Sequence, residues 1–144
     1  MISVLIPTYN RECVALVKEI ANQCIEICKS FEIIVLDDIS DDEEILRKNR
    51  EISEFENCSF VESEKKNGIA ASRNRLGEMA KGDTLLFLDS DVFPTNKSFI
   101  KKYIEERENA EIICGGLTYR KDGEKMISPL RYTYGMKYES VGNE

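Results

Sequence analysis

Two aspartates one residue apart, Asp89 and Asp91, follow a run of four apolar residues, Leu85 to Leu88. A short apolar run with polar flanks reads as a buried parallel strand. In open α/β sheets, ligands collect in the crevice beyond the C-terminal strand ends. Two carboxylates placed there make a hard, all-oxygen, anionic site suited to Mn²⁺ or Mg²⁺. Two more polar clusters stand after apolar runs: Thr8-Tyr9-Asn10 after Ile2 to Ile6, and Asp37-Asp38 after Ile33 to Leu36. One such cluster is ordinary loop polarity. Three of them, each after an apolar run, point to one shared crevice. There Asp38 can accept from a base edge and Tyr9 can pack flat on it. Asp89 and Asp91 can hold a cation against a diphosphate, and Arg73 can favour departure of the phosphates.

The elements that must position these residues alternate. Strands are predicted at 2–6, stopped by Pro7, at 31–36, at 58–62 and at 85–88. Helices are predicted at about 12–28, 41–55, 69–81 and 95–107. Cys13, Val17, Ile20, Cys24 and Ile27 recur at helical spacing and mark a buried face. Ser40 and Glu43 fit a capping box, Lys81-Gly82 a helix end, and Thr95 or Asn96 a cap for the last helix. A further strand is expected over 111–117 and a hairpin over 119–127, turning at Asp122-Gly123. The alternation predicts an α/β fold: a mostly parallel, Rossmann-like sheet with helices on both faces and right-handed crossovers. The whole chain, 1–144, reads as a single domain. Its polar tail from Ser128 reads as an interrupted chain.

Composition narrows the chemistry. The chain has 144 residues, 42% hydrophobic and 33% charged, with a formal charge of −7. That balance suits one soluble core and disfavours nucleic acid as a partner, which needs Lys and Arg against phosphates. There is no histidine, so Ser-His-Asp and Cys-His catalysis, His-ligated zinc and HExxH proteases are excluded. The five cysteines form no CxxC pair and read as reduced core thiols. No apolar run reaches the roughly 20 residues of a transmembrane segment. Met1-Ile2-Ser3 leads straight into a strand pattern with no secretory signal. These features predict a cytoplasmic protein, free or peripheral to a membrane.

Taken together, Pro7-Thr8-Tyr9-Asn10, Ile33 to Asp38 with Ser40, Asn67-Gly68, Ala71-Ser72-Arg73-Asn74, Gly82-Asp83 and Leu88-Asp89-Ser90-Asp91 resemble family 2 glycosyltransferases in order and spacing, from Ile2 to about Leu117. The resemblance implies a GT-A fold and a nucleotide-sugar donor, most often UDP-linked. It also implies inversion at the anomeric carbon and a saccharide or other hydroxyl acceptor. Thr8, Tyr9 and Asp38 would bind the nucleoside, Arg73 would lie near the donor, and Asp89 and Asp91 would bind manganese or magnesium through the diphosphate. The full candidate contact set is Pro7, Thr8, Tyr9, Asn10, Asp37, Asp38, Arg73, Asn74 and Ser90, with the two metal aspartates. Plainer roles stand beside these: Tyr9 covering the sheet edge, Arg73 in a surface salt bridge, Asn74 supporting its helix start. Ile39 departs from the glycine that usually follows the aspartate pair. The family's catalytic base lies in the acceptor-binding half and is expected beyond residue 144; Glu139 and Glu144 read as a solvated tail. Two rivals remain. One is a nucleotide-sugar-binding module without turnover. The other is a haloacid-dehalogenase-type phosphatase, which also uses Asp-x-Asp but on the first strand and followed by Thr. A dinucleotide-binding dehydrogenase would need GxGxxG after the first strand, and none is present.

Overall fold

The structure is a computed structural model, and it describes residues 1–28, 30–118 and 133–140. These divide into two compact units, 1–108 and 109–144. The first unit is built on four parallel strands: β1 (Ile2–Thr8), β2 (Phe31–Asp37), β3 (Cys58–Glu62) and β4 (Thr84–Phe87), in the order β3-β2-β1-β4. Four helices alternate with them or follow: α1 (Val14–Ile27), α2 (Glu43–Arg50), α3 (Ile69–Met79) and α4 (Phe99–Glu106).

β1 lies between β2 and β4, and every one of its residues is buried. Side chains alternate across a strand, so each apolar run supplies two cores. Ile2, Val4 and Ile6 join Ile33, Val35, Leu86 and Leu88 under α1 and α4. Leu5 joins Ile34, Leu36 and Leu76 of α3 on the opposite face. Continuous rather than alternating hydrophobicity is what a sheet covered on both sides demands.

The expected stop at Pro7 does not occur. Pro7 pairs with Leu36 and Thr8 with Asp37 inside β1. The reason is directional. Leu5 O accepts from Leu88 N at 3.0 Å, so the odd residues of β1 present their backbone to β4, and Thr8 O accepts from Asp38 N at 2.9 Å on the β2 side. Pro7 therefore faces the β4 side, beyond the last β1–β4 pair, Leu5 with Phe87. Its missing N–H ends the β1–β4 ladder after the Leu88 N to Leu5 O bond and leaves the ladder with β2 intact through Thr8.

Helix starts also differ from expectation. The Asp42 carboxylate, not Ser40, caps α2 by accepting from Glu44 N at 3.0 Å and Ile45 N at 3.1 Å. Ser40 is engaged by the buried Asp37 carboxylate, a stronger charge-assisted partner. The predicted 41–55 helix breaks into α2 and a short 3₁₀ turn, Glu51–Glu54. Asn96 accepts from Ser98 N at 3.0 Å, which puts the start of α4 at Phe99 rather than beside Thr95. Gly82 is not a helix cap, since α3 ends at Met79 with Ala80 as its cap. A Cβ on Gly82 would stand 2.6 Å from Ser3 Oγ and 2.7 Å from Met1 O, so glycine is required where β4 closes on β1.

Two buried amides tie the layers together. Gln23 of α1 accepts from Ile100 N at 3.1 Å and donates to Asn96 O at 3.1 Å, holding the start of α4. Asn49 of α2, fully buried, accepts from Cys13 N at 2.8 Å and donates to Arg11 O at 2.9 Å, holding the loop after β1.

In the second unit, the expected strand over 111–117 does not form. Leu117 makes one isolated parallel bridge to Ser140, and Gly135–Glu139 is a single π-helical turn. With Gly115-Gly116 in the run, its backbone entropy opposes a strand that has no continuous partner here. The expected hairpin over 119–127 lies outside the described residues. Among the described residues, no helix is long and apolar enough to cross a membrane. The five cysteines are free: Cys13 and Cys24 are buried, Cys28 and Cys58 half-buried, and Cys114 exposed. Burial pushes the Cys13, Cys24 and Cys28 thiols up and that of Cys58 to about 11.

Candidate active site

The strand order sets where a ligand can sit. The chain moves from β1 outward through β2 to β3, then returns to add β4 on the other side of β1. The switch point is therefore between β1 and β4, and the crevice belongs beyond their C-terminal ends. A cleft of about 410 Å³ lies there, within the first unit. Pro7, Thr8 and Tyr9 line it from the end of β1, and Asp89, Ser90 and Asp91 from the end of β4. Asp38 lines it from β2, Ile69, Ser72 and Arg73 from α3, and Arg11 from the loop after β1.

The β1–β2 side of the cleft is tightly organised. Thr8 is buried and donates its hydroxyl to Arg11 O at 3.2 Å. Asp38, 7% exposed, accepts from Asn67 N at 2.7 Å with one oxygen and from Gly68 N at 2.8 Å with the other. Gly68 is the N-cap of α3, at φ +78°, a conformation that favours glycine. Asp38 thus pins the start of α3 to the end of β2. Tyr9 is 44% exposed, and the Lys66 ammonium stands 4.0 Å from its ring centroid, a cation–π contact.

Three predicted site residues do not line this cleft: Asn10, Asp37 and Asn74. Asn10 N donates to Ser40 Oγ at 2.7 Å, and Asn10 Oδ1 accepts from Asp41 N at 3.0 Å, while its amide nitrogen meets the Asp41 carboxylate. It laces the β1 loop to the β2 loop from a left-handed φ of +47°. Asp37 is 1% exposed and spends its carboxylate on Ser40, accepting from the backbone N at 2.8 Å and also from the hydroxyl. Asn74 instead lines a separate groove along α3 with Glu64, Lys65, Asn67, Ala71, Arg75 and Glu78. Between Asp37 and Ser40, Ile39 holds φ +57°. The turn that glycine usually makes is kept here by a β-branched residue.

The opposite wall is open. Arg73 Nη2 lies 2.5 Å from Asp89 Oδ1, with side chains 43% and 53% exposed. Asp91 makes no side-chain hydrogen bond among the described residues. Leu88 N makes the last bond to β1, so Asp89 and Asp91 begin where the ladder stops. Arg11, Ile69, Ser72 and Lys66 were not singled out from the sequence. Ser72 lay inside the quoted Ala71–Asn74 motif, and Arg11 followed the first loop. Neither residue type alone carried a signal.

Comparison with known proteins shows the family. The family model for glycosyl transferase family 2 matches residues 3–142. The chain belongs to glycosyl transferase family 2. It is 31% identical over 117 residues to an uncharacterized glycosyltransferase of Haemophilus influenzae, covering 78% of this chain and 37% of that protein. It is 29% identical over 123 residues to a poly(ribitol-phosphate) beta-glucosyltransferase of Bacillus spizizenii, covering 80% of this chain and 18% of that protein. Among solved structures it is similar to Staphylococcus aureus TarS 1–349, with a TM-score of 0.59 and 26% identity over 87% of this chain and 39% of that one. The same TarS portion in complex with UDP-GlcNAc gives 0.57 and 25% identity, covering 87% of this chain and 37% of that one. The family 2 chain therefore spans well under half the length of these relatives, and its four-stranded parallel sheet with helices on both faces is a GT-A-like fold.

Proposed function

We propose that this family 2 chain forms the donor-binding part of an inverting glycosyltransferase. It takes a nucleotide-diphosphate sugar, UDP-linked by analogy with the TarS complex, whose sugar passes to an acceptor hydroxyl. The observation that supports this best is the single cleft bringing Thr8, Tyr9 and Asp38 together with Arg73, Asp89 and Asp91. The two ends of that cleft answer the two ends of a nucleotide sugar: a carboxylate and a flat ring for the base, paired acids and a guanidinium for the diphosphate.

The acids fit a divalent cation by their chemistry. No third His, Cys, Asp or Glu joins Asp89 and Asp91 in a metal cluster among the described residues. That suits Mg²⁺ or Mn²⁺, which takes one or two carboxylates and completes its shell with phosphate oxygens and water. A bound cation would offset diphosphate charge and ease departure of the nucleotide. Arg73 would add to this from α3, exchanging Asp89 for a phosphate oxygen in a bidentate geometry that guanidinium favours. The three acids of the cleft are thereby assigned to the donor, which leaves the base for the acceptor hydroxyl to residues outside the cleft. A thermal-shift screen of nucleotide diphosphates with and without Mn²⁺ tests the reading. Stabilisation by UDP that requires Mn²⁺ is expected. Stabilisation by no nucleotide, with hydrolysis of an aryl phosphate, would replace it with the phosphatase.

A further inference from the structure

Two buried hydroxyls, those of Ser63 and Ser72, lack a hydrogen-bond partner among the described residues, and of these Ser72 lines the cleft. Ser72 is 0% exposed. Buried hydroxyls are nearly always satisfied, and one left unpaired at a ligand site calls for an explanation. A serine within a helix commonly turns its hydroxyl back to the carbonyl four residues earlier. Here Gly68 O accepts from Ser72 N at 3.0 Å and the hydroxyl stays out of that bond.

We propose that Ser72 reads the nucleobase, donating its hydroxyl to a ring carbonyl beside the ring N–H that Asp38 accepts. This rests on the nucleotide-binding reading and adds base selectivity to it. Asp38 and Ser72 belong to one wall of the cleft. Asp38 holds the backbone N–H of Gly68, and Ser72 follows Gly68 by one helical turn. Each Asp38 oxygen accepts one backbone N–H and retains a further lone pair. The cleft thus offers an obligate acceptor at Asp38 and, one helical turn along α3, a rotatable donor at Ser72. The complementary ligand edge is an N–H flanked by a carbonyl, which uracil and guanine present. Cytosine reverses it, with a bare ring nitrogen beside an amino group, and would leave the carboxylate facing a lone pair. An unpaired polar group on one side discriminates more sharply than an added contact on the other.

Ser72→Ala tests this with the full chain. Calorimetric titrations of UDP, GDP and CDP, all with Mn²⁺, would be run on both proteins beside a melting curve of each without ligand. Wild type should bind UDP or GDP well above CDP. Ser72→Ala should weaken the preferred nucleotide by about three- to tenfold, one net hydrogen bond, and leave CDP unchanged. Its melting point should hold or rise, because alanine removes an unpaired hydroxyl and favours the helix. A serine with a structural role would instead lower the melting point. An equal loss for all three nucleotides, no loss, or a fall in melting point would overturn the assignment of Ser72 alone. Failure of every nucleotide to bind wild type would overturn the nucleotide reading, and this assignment with it.

Discussion

The two ends of the cleft are built on opposite plans. At the β1–β2 end, Asp38 in the cleft and its neighbour Asp37, which does not line it, are buried, and each carboxylate accepts two hydrogen bonds from within the chain. At the β4 end, Asp89 is about half exposed and bonded to one half-exposed partner, Arg73, while Asp91 makes no side-chain hydrogen bond among the described residues. The same residue type serves both. Burial with two hydrogen bonds to each carboxylate from within the chain makes a rigid frame. Exposure with few partners leaves carboxylates whose charge is still to be answered. The proposed nucleotide-sugar donor, with a rigid base and a charged diphosphate, would need one of each.

Substitutions can break or sharpen that contrast. The largest effect is expected at Asp37. Asp37→Ala strands the Ser40 N–H and hydroxyl in a buried turn, and should cost about 2–4 kcal/mol in urea unfolding. Asp89→Asn and Asp91→Asn, made the same way, should stay within about 0.5 kcal/mol. A comparable loss at both ends would erase the distinction. Next comes the scaffold behind Arg11. Asn49→Ala leaves Cys13 N and Arg11 O without their partner and should cost about 1–3 kcal/mol.

β1 and β2 were legible in the sequence because strands covered on both faces need unbroken apolar runs; β3 and β4 also formed, but the strand expected over 111–117 did not. The cleft was legible in part for a related reason: polar residues directly after such runs must fall at strand ends. Which of two adjacent acids faces the cleft was not legible. Neighbouring strand-end residues point to opposite sides, and only the fold shows that Asp37 turns inward to Ser40. The capping box failed for the same cause, since its local pattern competed with a buried carboxylate that the pattern does not contain. Gln23 and Asn49 were invisible because their partners lie 77 and 36 residues away. Pro7 was misread because its missing N–H stops only the ladder with β4, while pairing with β2 runs on through Thr8.

Smaller effects refine the picture. Ile39→Gly relaxes a left-handed turn held by a β-branched residue and should stabilise the chain by about 1 kcal/mol, read as a raised urea midpoint. No gain would mean that contacts of the isoleucine offset its strain. The smallest effect belongs to a pair outside the cleft. Arg50 donates to both Glu62 oxygens at 2.8 and 2.9 Å and holds the Glu62 carboxyl below the usual glutamate range. A lowered value stabilises the fold above the ordinary glutamate pKa and fades as pH falls through the lowered one. Glu62→Gln should therefore be slightly less stable than wild type at pH 7, and the difference should fade as the pH falls through the lowered Glu62 value.

In the proposed function, Asp89 and Asp91 would hold a divalent cation for a diphosphate in the cleft that Asp38 and Tyr9 share. This is tested most directly by calorimetric titration of UDP into the chain with and without Mn²⁺, for wild type and for the Asp89→Asn, Asp91→Asn double variant. The account predicts Mn²⁺-dependent binding to wild type and its loss in the double variant, with both proteins equally folded. Binding of UDP that is indifferent to Mn²⁺, or an unchanged affinity in the double variant, would contradict it.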